Sequence, residues 1–149
     1  MLNEGLKLRG DVAIVVKDKS GNVKEERNIK NLIVTAGLTY ICARMANATD
    51  GVMSHMALGS GTTAAAAGQT DLVSILGSRE ALDSSTPSSN TIAYVSSFEA
   101  GEATGAVTEA GIFNASSSGT MLCRTVFAVV NKAADDTMSV TWTITLTAS

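Results

Sequence analysis

The sequence is poor in the residues from which most catalytic and metal sites are built. Its 149 residues include one histidine, His55, and two cysteines, Cys42 and Cys123, which lie far apart without metal-ligand spacing. A catalytic triad needs a nucleophile, a base and an orienting group, and a zinc site needs three or four clustered ligands. We therefore predict no catalytic residue, no metal site, no cofactor and no enzymatic activity. The two cysteines are expected to be buried free thiols.

Further absences exclude other classes of function. Aromatic residues make up 4% of the chain, so a sugar-binding platform of stacked rings is not expected. Lysine and arginine occur singly, without the clustered positive charge that nucleic acids require. Apolar runs are too short to cross a bilayer, and the polar opening Met1–Gly10 does not resemble a signal peptide. We therefore expect no nucleic-acid, membrane or small-molecule partner.

One short motif matches a cofactor-binding fingerprint but lacks its context. The segment Gly59-Ser60-Gly61-Thr62-Thr63-Ala64 has the G-x-G-x-x-G/A spacing of dinucleotide-binding loops and follows a predicted strand. No sufficiently long crossover helix follows it, and the rest of the chain alternates like antiparallel sheet. We interpret this segment as a flexible loop.

The clearest pattern that is present runs from Thr137 to Ser149. Successive side chains of a strand point to opposite faces, so a period of two indicates a strand with one buried side. One face is apolar: Met138, Val140, Trp142, Ile144 and Leu146. The other face is dominated by threonine: Thr137, Thr141, Thr143, Thr145 and Thr147. β-Branched residues suit a pleated sheet, so this segment is predicted to be a long, half-buried strand.

Shorter strand-like runs, separated by turns, fill most of the remaining chain. Asp11–Ile29 is predicted to be a hairpin, and five further strands are predicted at Val52–Ser60, Ser78–Leu82, Thr91–Phe98, Gly105–Asn114 and Thr120–Val130. Ser84–Asn90 is predicted to be a loop and Thr70–Leu76 a short helical turn. Seven to eight mostly antiparallel strands predict an all-β sandwich or jelly roll. It would form a single domain over residues 1–149, with residues 1–10 as a candidate N-terminal arm.

One helix is predicted within Asn31–Ala48, near residues 35–47. Its apolar residues follow the i, i+3, i+4, i+7 spacing of a single helix face: Leu38, Ile41, Cys42 and Met45. Thr35 is the candidate N-cap, and Gly37 weakens the first turn.

Two predicted hairpins set a register for the C-terminal sheet. A loop at Ala115–Ser118 places Glu109 opposite Arg124, and a loop at Asn131–Asp136 pairs the last two strands with each other. The buried face then gathers Ala110, Ile112, Met121, Cys123, Phe127 and Val129 with the apolar residues of the last strand. The polar face gathers the candidate interface residues Glu109, Arg124, Thr141, Thr143 and Thr145. A one-residue slip would break this segregation.

The Glu109–Arg124 pair has two interpretations. As an exposed cross-strand ion pair it would contribute well under about 1 kcal/mol. Alternatively, it is buried beneath a neighbouring subunit. Chemistry alone favours the exposed pair.

Several segments have a recognisable sequence pattern: MALGSGTTAAAAGQTDL, LGSREAL and TEAGIFNASSSGTMLCRTVF. They resemble small virion structural proteins of tailed bacteriophages. In that group an E-x-G-[IL]-[FY]-[ND] strand leads to a G-x-[LM] return strand, which here would be Glu109–Asn114 and Gly119–Leu122. The opening VKDKSGNVKEERNIKNLIVTAGLTYICARM also resembles this group, so the likeness covers nearly the whole chain. Related wording occurs in the collar-like domains of tail fibres.

The resemblance implies a non-enzymatic structural protein, most like a jelly-roll capsid cement (decoration) protein. Such proteins sit on the mature head and stabilise contacts between major capsid subunits. The implied partners are the major capsid protein and further copies of this chain, as a homodimer or homotrimer. The implied location is the capsid surface of a virion assembled in the bacterial cytoplasm. Two alternatives are a tail, collar or fibre-associated virion protein and a carbohydrate-binding jelly-roll module.

Overall fold

The computed structural model describes residues 4–46 and 50–149, and within them the chain forms nine strands and one helix. These elements are β1 (Leu6–Lys17), β2 (Val23–Ile33), α1 (Thr35–Met45), β3 (His55–Gly59), β4 (Glu80–Ala81), β5 (Ser84–Ser88), β6 (Thr91–Phe98), β7 (Gly105–Phe113), β8 (Met121–Lys132) and β9 (Thr137–Ala148). All strand pairs are antiparallel, in the order β4-β3-β7-β8-β2-β1-β9-β6-β5. The predicted all-β class is confirmed.

The sheet curls because β2 belongs to two parts of it. One part consists of β1, β2, β5, β6 and β9, and the other consists of β3, β4, β7, β8 and the end of β2. β2 pairs with β1 over most of its length but with β8 only at Leu32 and Ile33. The short connection between β4 and β5 also passes from one part of the sheet to the other. There the N–H of Leu82 donates to the carbonyl of Ser54, and the N–H of Asp83 donates to the carbonyl of Val95. The two parts therefore enclose a common interior.

The hydrophobic core fills this interior and draws on both parts of the sheet. Trp142 of β9, Phe98 of β6 and Leu58 of β3 are all completely buried and belong to one cluster. Alternate residues of β1 and β9 complete one wall of the core: Val12, Ile14, Val16, Met138, Val140 and Ile144. Since these are the apolar positions of two period-two patterns, the predicted last strand and its buried face are confirmed.

The predicted N-terminal hairpin forms as β1 and β2. Asp18 accepts hydrogen bonds from the N–H groups of Ser20 and Asn22, and Gly21 adopts a φ of 84°, which favours glycine. β1 is not an edge strand, because it pairs with β2 on one side and with β9 on the other. Nor is the segment after Gly5 a free arm, because Leu6–Gly10 pair with Ile144–Ala148. Residues 1–3 of the predicted arm lie outside the described residues.

The predicted pairing of the last two strands is wrong. β8 pairs with β7 and β2, whereas β9 pairs with β1 and β6, so the turn between them passes from one part of the sheet to the other. The β7–β8 hairpin forms, but Gly111 rather than Glu109 lies opposite Arg124. Irregularities in the β7–β8 pairing also change which side chains of β8 face the core. As a result Val130 is buried and Val129 is 45% exposed.

The helix is shorter than predicted and presents a different face. Asn31–Ile33 belong to β2, and Val34 rather than Thr35 is the N-cap, without a side-chain hydrogen bond. The β-branched Ile33 and Val34 suit the extended backbone seen there. Gly37 is the buried residue of α1, while three residues of the predicted apolar face are exposed: Leu38, Cys42 and Met45. The helix ends at Met45, and residues 47 and 48 of the predicted helical segment lie outside the described residues.

Three smaller expectations also change. Ser84–Ser88 is strand β5 rather than a loop, and Thr70–Leu76 contains no helical turn. Cys123 is buried as predicted, but Cys42 is exposed. Proline is tolerated in β5 because this strand is the last in the sheet and has one unpaired edge.

Candidate functional site

The structure separates the five candidate interface residues into two places. Glu109 and Arg124 lie on β7 and β8, where their side chains are completely buried. Thr141, Thr143 and Thr145 lie on β9, in the other part of the sheet, and are half-buried on its outer surface. Because β8 and β9 do not pair, the predicted common face does not exist. Glu109 and Arg124 are therefore inaccessible to a partner.

Glu109 and Arg124 form a two-pronged ion pair. The Nε and Nη2 atoms of Arg124 both donate to Oε2 of Glu109, at 2.9 and 2.8 Å. Gly111 is the residue directly opposite Arg124, so the pair spans the hairpin diagonally. Arg124 also donates from Nη1 to Oε1 of Gln69, at 2.8 Å. Both interpretations of this pair are corrected, because it is buried by its own chain rather than exposed or covered by another subunit.

The covering segment is the loop between β3 and β4, and Glu109 holds it by its backbone. Oε1 accepts from the N–H groups of Gly61 and Ser74, at 3.0 and 2.7 Å. Oε2 accepts from the N–H of Val73, at 3.0 Å. One buried carboxylate thus satisfies three loop amides and one guanidinium. Such full satisfaction is what makes a buried charge tolerable.

These contacts have opposing effects on the Glu109 carboxyl. Burial by itself raises its pKa, because desolvation disfavours the charged form. The hydrogen bonds from Ser74, Val73, Arg124 and Gly61 favour the charged form and together outweigh burial. The pKa of Glu109 is therefore lowered, and the carboxylate is ionised at neutral pH.

The glycine motif Gly59–Ala64 now has a structural explanation. A Cβ at Gly59 or Gly61 would lie 2.5 Å from Oε1 of Glu109, closer than real Cβ atoms approach an oxygen. Glycine at both positions lets the loop backbone reach the buried carboxylate. Thr108 adds a hydrogen bond from its hydroxyl to the carbonyl of Gly61, at 2.8 Å. The motif shapes a loop that binds a buried carboxylate of the same chain.

Arg79 fixes the end of the same loop, a role that the sequence analysis did not identify. Its guanidinium lies 3.6 Å from the ring centroid of Phe113. It also donates to the carbonyls of Ala115 and Ser118, at 3.0 and 2.7 Å. Its side chain is only 7% exposed although it lies in a polar loop. The segment LGSREAL contains this arginine, but only the fold reveals its contacts.

Thr141, Thr143 and Thr145 belong to a broad surface that we term the threonine face. It comprises the outward side chains of β1, β6 and β9: Ala13, Val15, Thr91, Ala93, Val95, Ser97, Ser139, Thr141, Thr143 and Thr145. The rows are in register, so Thr143 lies between Ala93 and Asp11, and Thr141 between Val95 and Ala13. The side chains at the centre of the face are small and uncharged: Ala13, Ala93, Val95 and Thr141.

Opposite charges flank the threonine face at its two ends. One end carries Lys7, Arg9, Asp11 and Lys30, with Asp11 paired to both Arg9 and Lys30. The other end carries Lys17, Glu26, Asp83 and Glu99, where Ser97 donates to Asp83. Two shallow depressions of about 210 and 170 Å³ lie beside Ala13 and Val15. The face thus has a neutral centre and a charged rim.

Two further features of the described residues lie outside the sites above. The hydroxyl of Ser54 lies 2.8 Å from Nδ1 of its neighbour His55, and an open depression of about 450 Å³ lies beside Lys30, Thr62 and Thr125. Within residues 4–46 and 50–149 no three His, Cys, Asp or Glu side chains cluster as metal ligands. In the same ranges no helix is long and apolar enough to span a membrane.

Comparison with known proteins adds no relative. No protein-family model, curated protein or solved structure matches this chain significantly.

Proposed function

We propose that this protein is a capsid cement protein that binds a mature phage head, as a homo-oligomer, and stabilises contacts between major capsid subunits. The observation that carries the proposal is the threonine face, a broad surface with small, uncharged side chains at its centre on the neighbouring strands β1, β9 and β6. The resemblance of several sequence segments to phage virion proteins suggests that the partner is a phage capsid.

The chemistry of the threonine face suits repeated protein contact. Its small central side chains let another backbone approach closely, and its charged ends provide a polar rim like that of protein interfaces. Ordering threonine and alanine side chains on binding costs little conformational entropy. Individually modest contacts of this kind add up when a symmetric shell repeats them many times.

The alternative of a carbohydrate-binding module receives less support from the structure. Such sites stack sugars on exposed aromatic rings. Trp142, Phe98 and Phe113 are completely buried here, and Tyr94 is 7% exposed. Tyr40 and Phe127 are only partly exposed and pack against the core. The aromatic side chains therefore belong to the hydrophobic core or pack against it.

The number of copies per particle tests the proposal directly. Quantitative mass spectrometry of purified virions would compare this chain with the major capsid protein. A ratio close to one supports shell decoration. A ratio of a few per cent or less places the chain in a tail, collar or fibre and refutes the cement role. Absence from the particle refutes both virion roles.

Thr143→Glu tests the threonine face as the capsid-binding surface. The substitution introduces a negative charge between Ala93 and Asp11, and its desolvation on binding should abolish occupancy on particles. The fold should persist, because Thr143 is half-buried on the outer surface. Occupancy is measured by adding purified protein to undecorated heads.

Ser20→Glu, in the exposed β1–β2 turn, is the matched control and should bind like the wild type. Unchanged occupancy of folded Thr143→Glu protein would exclude the threonine face as the docking surface.

A further inference from the structure

The two ends of the threonine face carry equal and opposite net charges. At one end three cations accompany one carboxylate, which leaves a net charge of +2: Lys7, Arg9, Lys30 and Asp11. At the other end three carboxylates accompany one cation, which leaves a net charge of −2: Glu26, Asp83, Glu99 and Lys17. Lys24 lies beside this second end, but its ammonium pairs with Asp136 and adds no net charge.

The two ends are far enough apart to act on a partner separately. Arg9 and Lys17 both lie on β1, and at 3.3 Å per residue their backbones are about 26 Å apart. Charges in water are screened over about 8 Å at physiological ionic strength. The centre between the two ends is uncharged, as at Ala13 and Thr141. A partner therefore meets two distinct patches of opposite sign.

This arrangement disfavours two kinds of occupant. A polyanion, such as a nucleic acid or an anionic membrane, would be attracted to one end of the face and repelled by the other. A second copy turned end for end would lay β1 over β1, so Lys7 of one copy would approach Lys17 of the other. Like charges that face each other across an interface are costly. A different protein with both signs of charge fits the face better.

Each of the two shallow depressions of the face is bordered by charges of its own end. The depression of about 210 Å³ lies between Ala13 and Lys30, whose side chain is 73% exposed. The depression of about 170 Å³ lies between Val15 and Glu99, whose side chain is also exposed. An acidic side chain of the partner would suit the first depression, and a basic side chain would suit the second.

We propose, on the basis of the cement role proposed above, that the threonine face docks in a single orientation on a bipolar surface of the major capsid protein. An acidic patch of that surface would contact the end at Lys7 and Lys30. A basic patch about 26 Å away would contact the end at Glu26 and Glu99. Complementary charges of this kind steer two proteins toward each other and fix the register in which they bind.

An exchange of charges between the two ends tests this orientation. A variant with Lys7→Glu, Lys30→Glu, Glu26→Lys and Glu99→Lys inverts the polarity of the face but keeps the net charge of the chain. Its rate of association with undecorated heads should fall by about tenfold or more, because attraction becomes repulsion at both ends. The fold should persist, because all four side chains are exposed and the one ion pair lost, with Asp11, lies at the surface.

The matched control combines Lys19→Glu with Asp135→Lys. It exchanges opposite charges in two exposed turns outside the face and should associate like the wild type. Should the inverted variant fail to fold, the wild type itself provides the test. Its association should slow by about tenfold when the salt concentration rises from about 0.05 to about 0.5 M, because salt screens the attraction.

The possible results separate this proposal from the cement role. If the inverted variant associates as fast as the wild type while Thr143→Glu abolishes occupancy, the bipolar partner is refuted and the cement role stands. If the wild type does not bind heads at all, both are refuted. Sedimentation equilibrium adds a third result: wild-type dimers that Thr143→Glu dissociates would show that a second copy covers the face, which would also overturn the proposal.

Discussion

Glu109 is the residue on which the most local structure depends. A single carboxylate organises Arg124 and the backbone of a loop that reaches from Gly61 to Ser74. Replacing a buried ion pair with apolar residues is often tolerated, but here that exchange would leave three loop amides without an acceptor. The carboxylate is therefore as much a backbone-binding group as an ion-pair partner.

Glu109→Gln should lower the free energy of unfolding at neutral pH by about 3–5 kcal/mol, as expected when one member of a buried pair is removed. The measurement is urea denaturation, with Asp135→Asn as an exposed control that should differ from the wild type by less than about 0.5 kcal/mol. A loss of stability no larger than that of the control would show that the carboxylate does not hold the loop.

The same comparison has a defined pH dependence. The pKa of Glu109 is lowered in the folded state, so its contribution is present above the ordinary value of 4.5 and is lost as the pH falls through the folded value. The stability gap between wild type and Glu109→Gln should therefore narrow as the pH falls below about 4.5. A gap that stayed constant down to the lowest pH at which both fold would contradict the lowered pKa.

At the scale of elements, α1 shows how a contact can outweigh propensity. Glycine is a poor helix former, and replacing it with alanine in a helix normally gains up to about 1 kcal/mol. At Gly37, however, a Cβ would lie 2.1 Å from the carbonyl oxygen of Leu122 on β8. Glycine allows the first turn of the helix to lie directly against the start of β8.

Gly37→Ala is accordingly expected to destabilise the protein by about 1–3 kcal/mol, because the helix or β8 must move to make room. Gly68→Ala is the matched control, since its Cβ would meet nothing within 4 Å and its φ is not positive. Urea midpoints of the two variants provide the test. Equal or greater stability of Gly37→Ala would show that α1 moves freely away from β8.

At the scale of the whole molecule, one core joins the two parts of the sheet. Leu58 of β3 and Trp142 of β9 lie in different parts, yet both belong to the same buried cluster. The strand connections through β2 and through residues 82–83 also cross between the parts. Such mutual dependence favours cooperative unfolding.

Leu58→Ala should therefore shift the unfolding transition reported by Trp142, although the two residues are on different parts of the sheet. The expected loss is about 2–5 kcal/mol. Trp142 fluorescence and far-ultraviolet circular dichroism should give the same midpoint. Leu6→Ala, at a side chain that is 60% exposed, is the control and should change stability little. Separate midpoints for the two signals would indicate two independently unfolding parts.

The sequence by itself determined the class of fold and much of its local structure. Period-two patterns located β1 and β9, and the residues facing the core from β9 were those predicted, since alternation is a direct consequence of strand geometry. The β1–β2 turn followed from Gly21, which supplies a positive φ. The Glu109–Arg124 contact was anticipated because both residues lie on the same side of one hairpin.

Only the tertiary structure decided which strands are neighbours and what covers them. Alternation describes the two faces of a strand but carries no information about its edges, so β9 could equally have paired with β8 as with β1 and β6. The same limitation made Glu109 and Thr143 look like members of one face. The burial of Glu109 depends on amides of Gly61, Val73 and Ser74, and backbone amides are identical in every sequence. Their convergence on one carboxylate is a property of the folded loop.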